Sequence, residues 1–188
     1  MVSFYTYLEL YLDDLRKKIS LSEFEKYFDV PHQTIKNHLS ALIKSKIIIE
    51  EKKPRFRFYG LNLKNPLLRE YLAICEKERL ISFLNKNPLF SRMYQSIAKG
   101  GNSMLLFGSA VKNKEYGDID LLIISKDKKV REELKKIENT YSIKIHIVQT
   151  SEQDLTEALI LEIRKKHIII SNHDYFIRLL YKNELGLV

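Results

Sequence analysis

One stretch of the chain holds residue types able to do phosphate chemistry together: Met104-Leu-Leu-Phe-Gly-Ser-Ala-Val-Lys-Asn-Lys-Glu-Tyr-Gly-Asp-Ile-Asp-Leu-Leu-Ile-Ile124. An apolar run over residues 103–107 ends in Gly108-Ser109, where a missing side chain lets the backbone come close to a ligand. Backbone N–H groups in such a turn, with the Ser109 hydroxyl, suit phosphate oxygens. Asp118 and Asp120 then open a strongly apolar run over 119–124. At strand spacing, residues i and i+2 point to one face. Two carboxylates on one face repel each other unless a cation lies between them. Mg²⁺ (or Mn²⁺) prefers a few carboxylates plus substrate phosphates. Two such ions about 3.5–4 Å apart clamp the attacking and leaving oxygens of a phosphoryl transfer.

A transfer reaction also needs a proton acceptor for the attacking hydroxyl. The next apolar run, residues 142–148, places Ile143, Ile145 and Ile147 on one face and Lys144, His146 and Val148 on the other. None of the last three is acidic, so His146 is the candidate base there. A surface histidine without a role is the alternative. Glu152 and Asp154 open the following segment and lie too far along to serve.

The elements that must position these groups alternate strand and helix. Residues 103–107, 119–124 and 143–148 read as strands, 127–140 and 151–166 as helices, 167–170 as a short extended piece, and 174–181 as a closing helix. Upstream, residues 2–18 repeat apolar side chains at helical spacing (Phe4, Leu8, Tyr11, Leu12, Leu15). Ser20 or Ser22 caps a short helix ending near Phe28. Asp29-Val30-Pro31 breaks it, and Gln33 to Lys46 runs on as a helix with Ile35, Leu39, Leu42 and Ile43 on one face. Two β-type runs around Glu50-Glu51-Lys52-Lys53-Pro54 read as a hairpin. Asn65-Pro66 punctuates the chain, 67–86 reads as a connecting helix, and Asn87-Pro88 starts another that stops at Gly100-Gly101.

The Gly-Ser turn followed by an Asp-x-Asp strand resembles the nucleotidyltransferase superfamily, most of all its minimal members from archaea and bacteria, over about residues 88–188. The resemblance implies an α/β (α+β) domain with a small mixed sheet. It also implies nucleotide phosphates on Gly108 and Ser109, Mg²⁺ on Asp118 and Asp120, and an NTP substrate. Lys112 falls where such loops often carry a basic residue. The family usually places a third carboxylate on the following strand, where this chain has Lys144 and His146.

Residues 20–60 resemble a winged helix-turn-helix domain by the order and length of their elements. That resemblance puts the second helix in the major groove and the hairpin on phosphate. Gln33, Thr34, Lys36, Asn37 and Lys44 form its exposed face; His32, Gln33 and Asn37 are the base-edge candidates. The wing contributes Lys52, Lys53, Arg55 and Arg57. Phe56, Phe58 and Tyr59 read as packing within the wing. A docking or dimerisation module is the competing reading, since residues 1–62 hold eleven Lys/Arg against eight Asp/Glu.

The whole chain of 188 residues carries a net charge of +8, which favours a polyanionic partner. Its single cysteine, Cys75, forms no internal disulfide and fits a reducing cytoplasm. No run is long enough to cross a bilayer. His167 and His173 read as structural. The expected organisation is a winged helix over 1–64, a helical linker over 65–87 and the transferase-like domain over 88–188, with a homodimer through the winged helix or linker as one possibility. The leading function is Mg²⁺-dependent transfer of a nucleotide onto a hydroxyl of a nucleic acid or protein. The alternative is a DNA-binding regulator, or antitoxin-like partner, whose transferase domain binds nucleotide without turnover.

Overall fold

The computed structural model describes residues 3–54, 56–98, 102–111, 118–125 and 129–186. Arg55 and Lys112, both expected to meet ligand, lie outside the described residues. Two compact units emerge: Met1–Cys75 with Ile177–Val188, and Glu76–Phe176.

The first unit opens with a 3-10 helix, Phe4–Tyr11, where an α-helix over 2–18 was expected. Of the apolar residues at that spacing, Leu8, Tyr11, Leu12 and Leu15 are buried and Phe4 is half-buried, while Tyr7, outside the pattern, is buried too. The spacing could not report where the helix stops. The Asp14 carboxylate accepts from the Arg16 N–H at 2.9 Å, a local bond that competes with helix. The chain then enters strand β1 (Lys18–Ser20), which the sequence reading missed. Helix α1 (Leu21–Phe28) starts in a full capping box: the Ser20 hydroxyl accepts from the Glu23 N–H, and the Glu23 carboxylate accepts from the Ser20 N–H. Asp29, at φ 50°, stops it in the left-handed region. Helix α2 (His32–Lys44) begins directly after Pro31 and buries Ile35, Leu39 and Leu42.

Strands β2 (Ile48–Lys53) and β3 (Phe56–Leu61) form an antiparallel hairpin, with β1 on the other edge of β3. Alternation splits the aromatic stripe that was expected to pack. Tyr59 is 5% exposed, whereas Phe56 is 63% exposed. The Tyr11 hydroxyl donates to the Tyr59 carbonyl at 2.8 Å, and the Tyr181 hydroxyl donates to the Leu12 carbonyl at 2.6 Å. The last residues of the chain therefore help to complete this unit.

Helix α3 (Leu68–Lys86) carries the chain into the second unit. There follow α4 (Pro88–Ala98), β4 (Ser103–Phe107), β5 (Asp118–Ile124), α5 (Lys129–Tyr141), β6 (Lys144–Thr150), α6 (Glu157–Lys165), β7 (His167–Ile169) and α7 (His173–Leu185), the last kinked at Tyr181. The helix expected over 151–166 begins only at Glu157. A 3-10 turn at Glu152–Asp154 precedes it, and Thr156 caps α6 by accepting from the Leu159 N–H.

The second sheet has the order β6-β5-β4-β7, parallel between β5 and β6 and antiparallel elsewhere. It is the small mixed sheet expected of the fold class. One face buries Leu106, Ile119, Leu121, Ile123 and Ile145 in a core with Phe83, Phe90, Met93, Leu134 and Ile137. Each such side chain contributes about 1.5–3 kcal/mol by leaving water. Among the described residues no helix is long and apolar enough to cross a membrane.

Candidate active site

The site is built at the first residues of β5. Burial along that strand runs exposed, buried, half-buried at Asp118, Ile119 and Asp120, then fully buried at Leu121, Leu122 and Ile123. Only its entrance can hold carboxylates in contact with solvent. Asp118 and Asp120 share the face opposite Ile119, whose side chain belongs to the core.

Register decides their neighbours. Across the parallel pair, Asp118 stands beside Lys144 and Asp120 beside His146. Lys144 Nζ lies 3.3 Å from Asp118 Oδ2, and His146 Nδ1 lies 3.1 Å from Asp120 Oδ1. The isoleucines of β6 take the other face: Ile145 is buried in the core and Ile147 packs against it, as does Ile143 just before the strand. Lys144 was not singled out from the sequence as a partner of Asp118.

On the other side, Asp120 stands opposite Phe107 of β4, next to the turn. Gly108 has φ +78°, a conformation that disfavours any L side chain. A Cβ at Gly108 would lie 2.5 Å from Asp120 Oδ2. The carboxylate thus occupies the space that the glycine leaves. The Gly108 N–H donates to the Lys166 carbonyl at 3.3 Å, which ties the turn to the start of β7. Ser109 is exposed at the head of a 3-10 turn whose next residue, Ala110, is buried. The structure therefore brings Gly108, Ser109, Asp118, Asp120 and His146 to one end of the sheet.

The donor set limits which metal would fit. Among the described residues, no group of three or more His, Cys, Asp and Glu side chains is placed to hold an ion. The described residues offer no closed structural cage of the zinc type. Two carboxylates at a solvent-open strand end do match Mg²⁺, which takes one or two protein carboxylates and completes its shell with water and substrate phosphate. The Asp118–Lys144 pair is exposed on both sides, and such pairs are worth no more than about 1 kcal/mol. A divalent cation can displace it at small cost.

A second polar cluster escaped the sequence reading. Glu76 of α3 is fully buried. Its carboxylate lies 2.8 Å from Arg79 Nη1 and 2.9 Å from His167 Nε2. Arg79 Nη2 donates to the His167 carbonyl at 2.9 Å, and His167 Nδ1 faces the Ile163 carbonyl at 3.1 Å. Burial alone would raise the Glu76 pKa, but the Arg79 guanidinium and then His167 hold it down to about 2. Burial holds His173 below the ordinary histidine range. His167 pairs with Phe107 in the ladder, as Asp120 does from the other side, so the cluster lies in the same row of the sheet. The spacing of Glu76 and Arg79 is visible in the sequence as i, i+3. Their meeting with His167 is not.

The residues expected on nucleic acid lie in the first unit. Gln33, Lys36, Asn37 and Lys44 are exposed on α2, and Thr34 is half-buried. Gln33 Nε2 donates to Asn37 Oδ1 at 3.0 Å. On the hairpin, Arg57 pairs with Glu50 at 3.1 Å, Lys52 with Glu50 at 3.8 Å and Lys53 with Glu51 at 3.8 Å. The hairpin's own glutamates thus offset the cations of the wing.

Residues 90–179 match the family model described as Nucleotidyltransferase domain. The match takes in strands β4, β5, β6 and β7 with the turn at Gly108, and supports the nucleotidyltransferase resemblance over this span. Nucleotide transfer is the general activity that it supports. No curated protein matches the chain.

Proposed function

We propose that this protein is a Mg²⁺-dependent (or Mn²⁺-dependent) nucleotidyltransferase that moves a nucleotide from an NTP to a hydroxyl of an acceptor, with a nucleic acid as the partner of its first unit. The observation that carries the reading is the fit of the Asp120 carboxylate into the space left by Gly108. It sets a carboxylate against a turn able to take phosphate, which is what binding a metal-bound triphosphate requires. Asp118 and Asp120 would hold the metal, and Gly108, Ser109 and Lys112 the phosphates. When bound, the metal supplies positive charge to the phosphoryl oxygens. His146, hydrogen-bonded to Asp120, is the group that takes the proton of the attacking hydroxyl.

Residues 1–64 are read as a winged helix-turn-helix module. Support comes from the succession β1, α1, α2, β2, β3 and from the sheet order β1-β3-β2. Its exposed polar residues on α2 and its hairpin would face nucleic acid. A single cysteine in the chain, the buried Cys75, accords with a cytoplasmic setting. A second copy could join through α3, where Ile74 and Ile81, with Leu67 just before the helix, recur at seven-residue spacing and are all exposed. Sedimentation of Ile81→Glu tests that joining: a dimer that this change leaves intact rules it out.

A second reading has its own observation. The face of β6 beside the two aspartates carries Lys144 and His146 and no acid. The domain would then bind NTP without transferring it, and the protein would act as a nucleotide-sensing DNA-binding regulator or an antitoxin-like partner. Incubation with α-labelled and γ-labelled NTPs separates the two readings. Transfer predicts α-label on the acceptor and none from the γ-position. Binding with no label on any nucleic-acid or protein acceptor favours the second.

A further inference from the structure

Between α2 and the β2–β3 hairpin lies a cleft of about 670 Å³, within the size range of small-molecule pockets. Gln33, Lys36 and Asn37 line it from the helix, and Glu50, Phe56 and Arg57 from the hairpin. Two of its features do not suit a surface that merely rests on duplex phosphates. The first is the Glu50 carboxylate, which repels phosphate but can accept a hydrogen bond from the exocyclic amine of a base. Arg57 and Lys52 neutralise it from the hairpin side. The second is Phe56, a large apolar ring 63% exposed on a charged hairpin, whereas Tyr59 three positions on is inside.

In a duplex the faces of the bases are covered by their neighbours, and only their edges are on offer. A base stacks on an aromatic face when it has left the duplex stack or belongs to a single strand. The amides of Gln33 and Asn37 supply donors and acceptors for the edge of that base, and Lys36 supplies charge for the phosphates flanking it.

We infer that the cleft between α2 and the β2–β3 hairpin takes the unpaired nucleobase of a single-stranded nucleic-acid end, with Phe56 as its stacking platform. The inference rests on the reading of the first unit as a nucleic-acid module and narrows the partner to one with an unpaired nucleotide beside a duplex. Within that cleft, bases bearing an exocyclic amine fit Glu50 better than thymine or uracil does.

The test uses the full chain and fluorescence anisotropy with three labelled duplexes: blunt, carrying a short 3′ overhang, and carrying the same overhang with abasic sites. The wild type should bind the base-bearing overhang most tightly. Phe56→Ala should lower that affinity roughly 10-fold, the scale of one lost stacking contact, and leave blunt-duplex affinity unchanged. Phe56 is exposed, so the fold should survive; circular dichroism checks this. The chain has no tryptophan, so Phe56→Trp makes a lone reporter. Its emission should be quenched by the base-bearing overhang and not by the abasic one. Equal affinity of Phe56→Ala and wild type for the overhang, or an equal loss on all three duplexes, overturns the inference and leaves the duplex-binding reading standing. No binding to any of the three removes both.

Discussion

Gly108→Ala separates the catalytic account from simple stability. The left-handed backbone at φ +78° costs an L-residue about 1–2 kcal/mol. The new Cβ would sit 2.5 Å from Asp120 Oδ2, where ordinary contacts begin at 3.4 Å, so the carboxylate must retreat by about 1 Å. That atom is the end of a side chain and can rotate away, so the clash adds little to the loss of stability. The same retreat carries Asp120 away from the position it shares with the turn and with His146. Misplacement of about 1 Å in a reacting constellation costs on the order of 100-fold in rate. Urea unfolding should therefore show a loss of about 1–2 kcal/mol, and nucleotide transfer at saturating NTP should fall about 100-fold. A folded Gly108→Ala variant with wild-type transfer would refute the claim that the Gly108–Asp120 contact sets the site.

Glu76→Gln leaves Arg79 and His167 facing a neutral amide in a buried site, and breaking such a network should cost about 3–5 kcal/mol in urea unfolding. The folded pKa of Glu76, about 2, lies below its ordinary value of 4.5. Its contribution is thus fully present above about pH 4.5 and lost as pH falls toward 2. The gap between variant and wild type should be widest near neutral pH and narrow across that window; a gap independent of pH would show that the charge is not what stabilises. His146→Ala should abolish transfer and spare NTP binding, while His146→Asp should keep or raise transfer; an active His146→Ala would make the residue a bystander.

The site was legible where chemistry and strand period coincide. Gly108-Ser109 and Asp118-x-Asp120 mark a turn and a strand entrance in any register, and alternation alone separates His146 from the isoleucines of β6. The partner of each aspartate was not legible. It depends on β5 and β6 lying parallel with Asp118 level with Lys144, a pairing between residues 26 positions apart. The Glu76–His167 meeting escaped for the same reason. In the first unit, apolar spacing marked Leu8, Tyr11, Leu12 and Leu15 as buried, but it does not distinguish a 3-10 turn from an α-helix. Three residues, Lys18–Ser20, were too few to announce β1. The exposure of Phe56 was hidden by its aromatic neighbours: Phe58 and Tyr59 look like the same stripe until alternation sends Tyr59 inward.

Calorimetric titration of Mg²⁺·NTP tests the central claim most directly, with the wild type compared to the double variant Asp118→Asn, Asp120→Asn. Both side chains stand at the open end of β5, so the variant should fold normally. The wild type should bind NTP with Mg²⁺ and far more weakly without it. The double variant should lose the Mg²⁺-dependent part of that binding. Equal Mg²⁺·NTP affinity in the two proteins would contradict the assignment of the site.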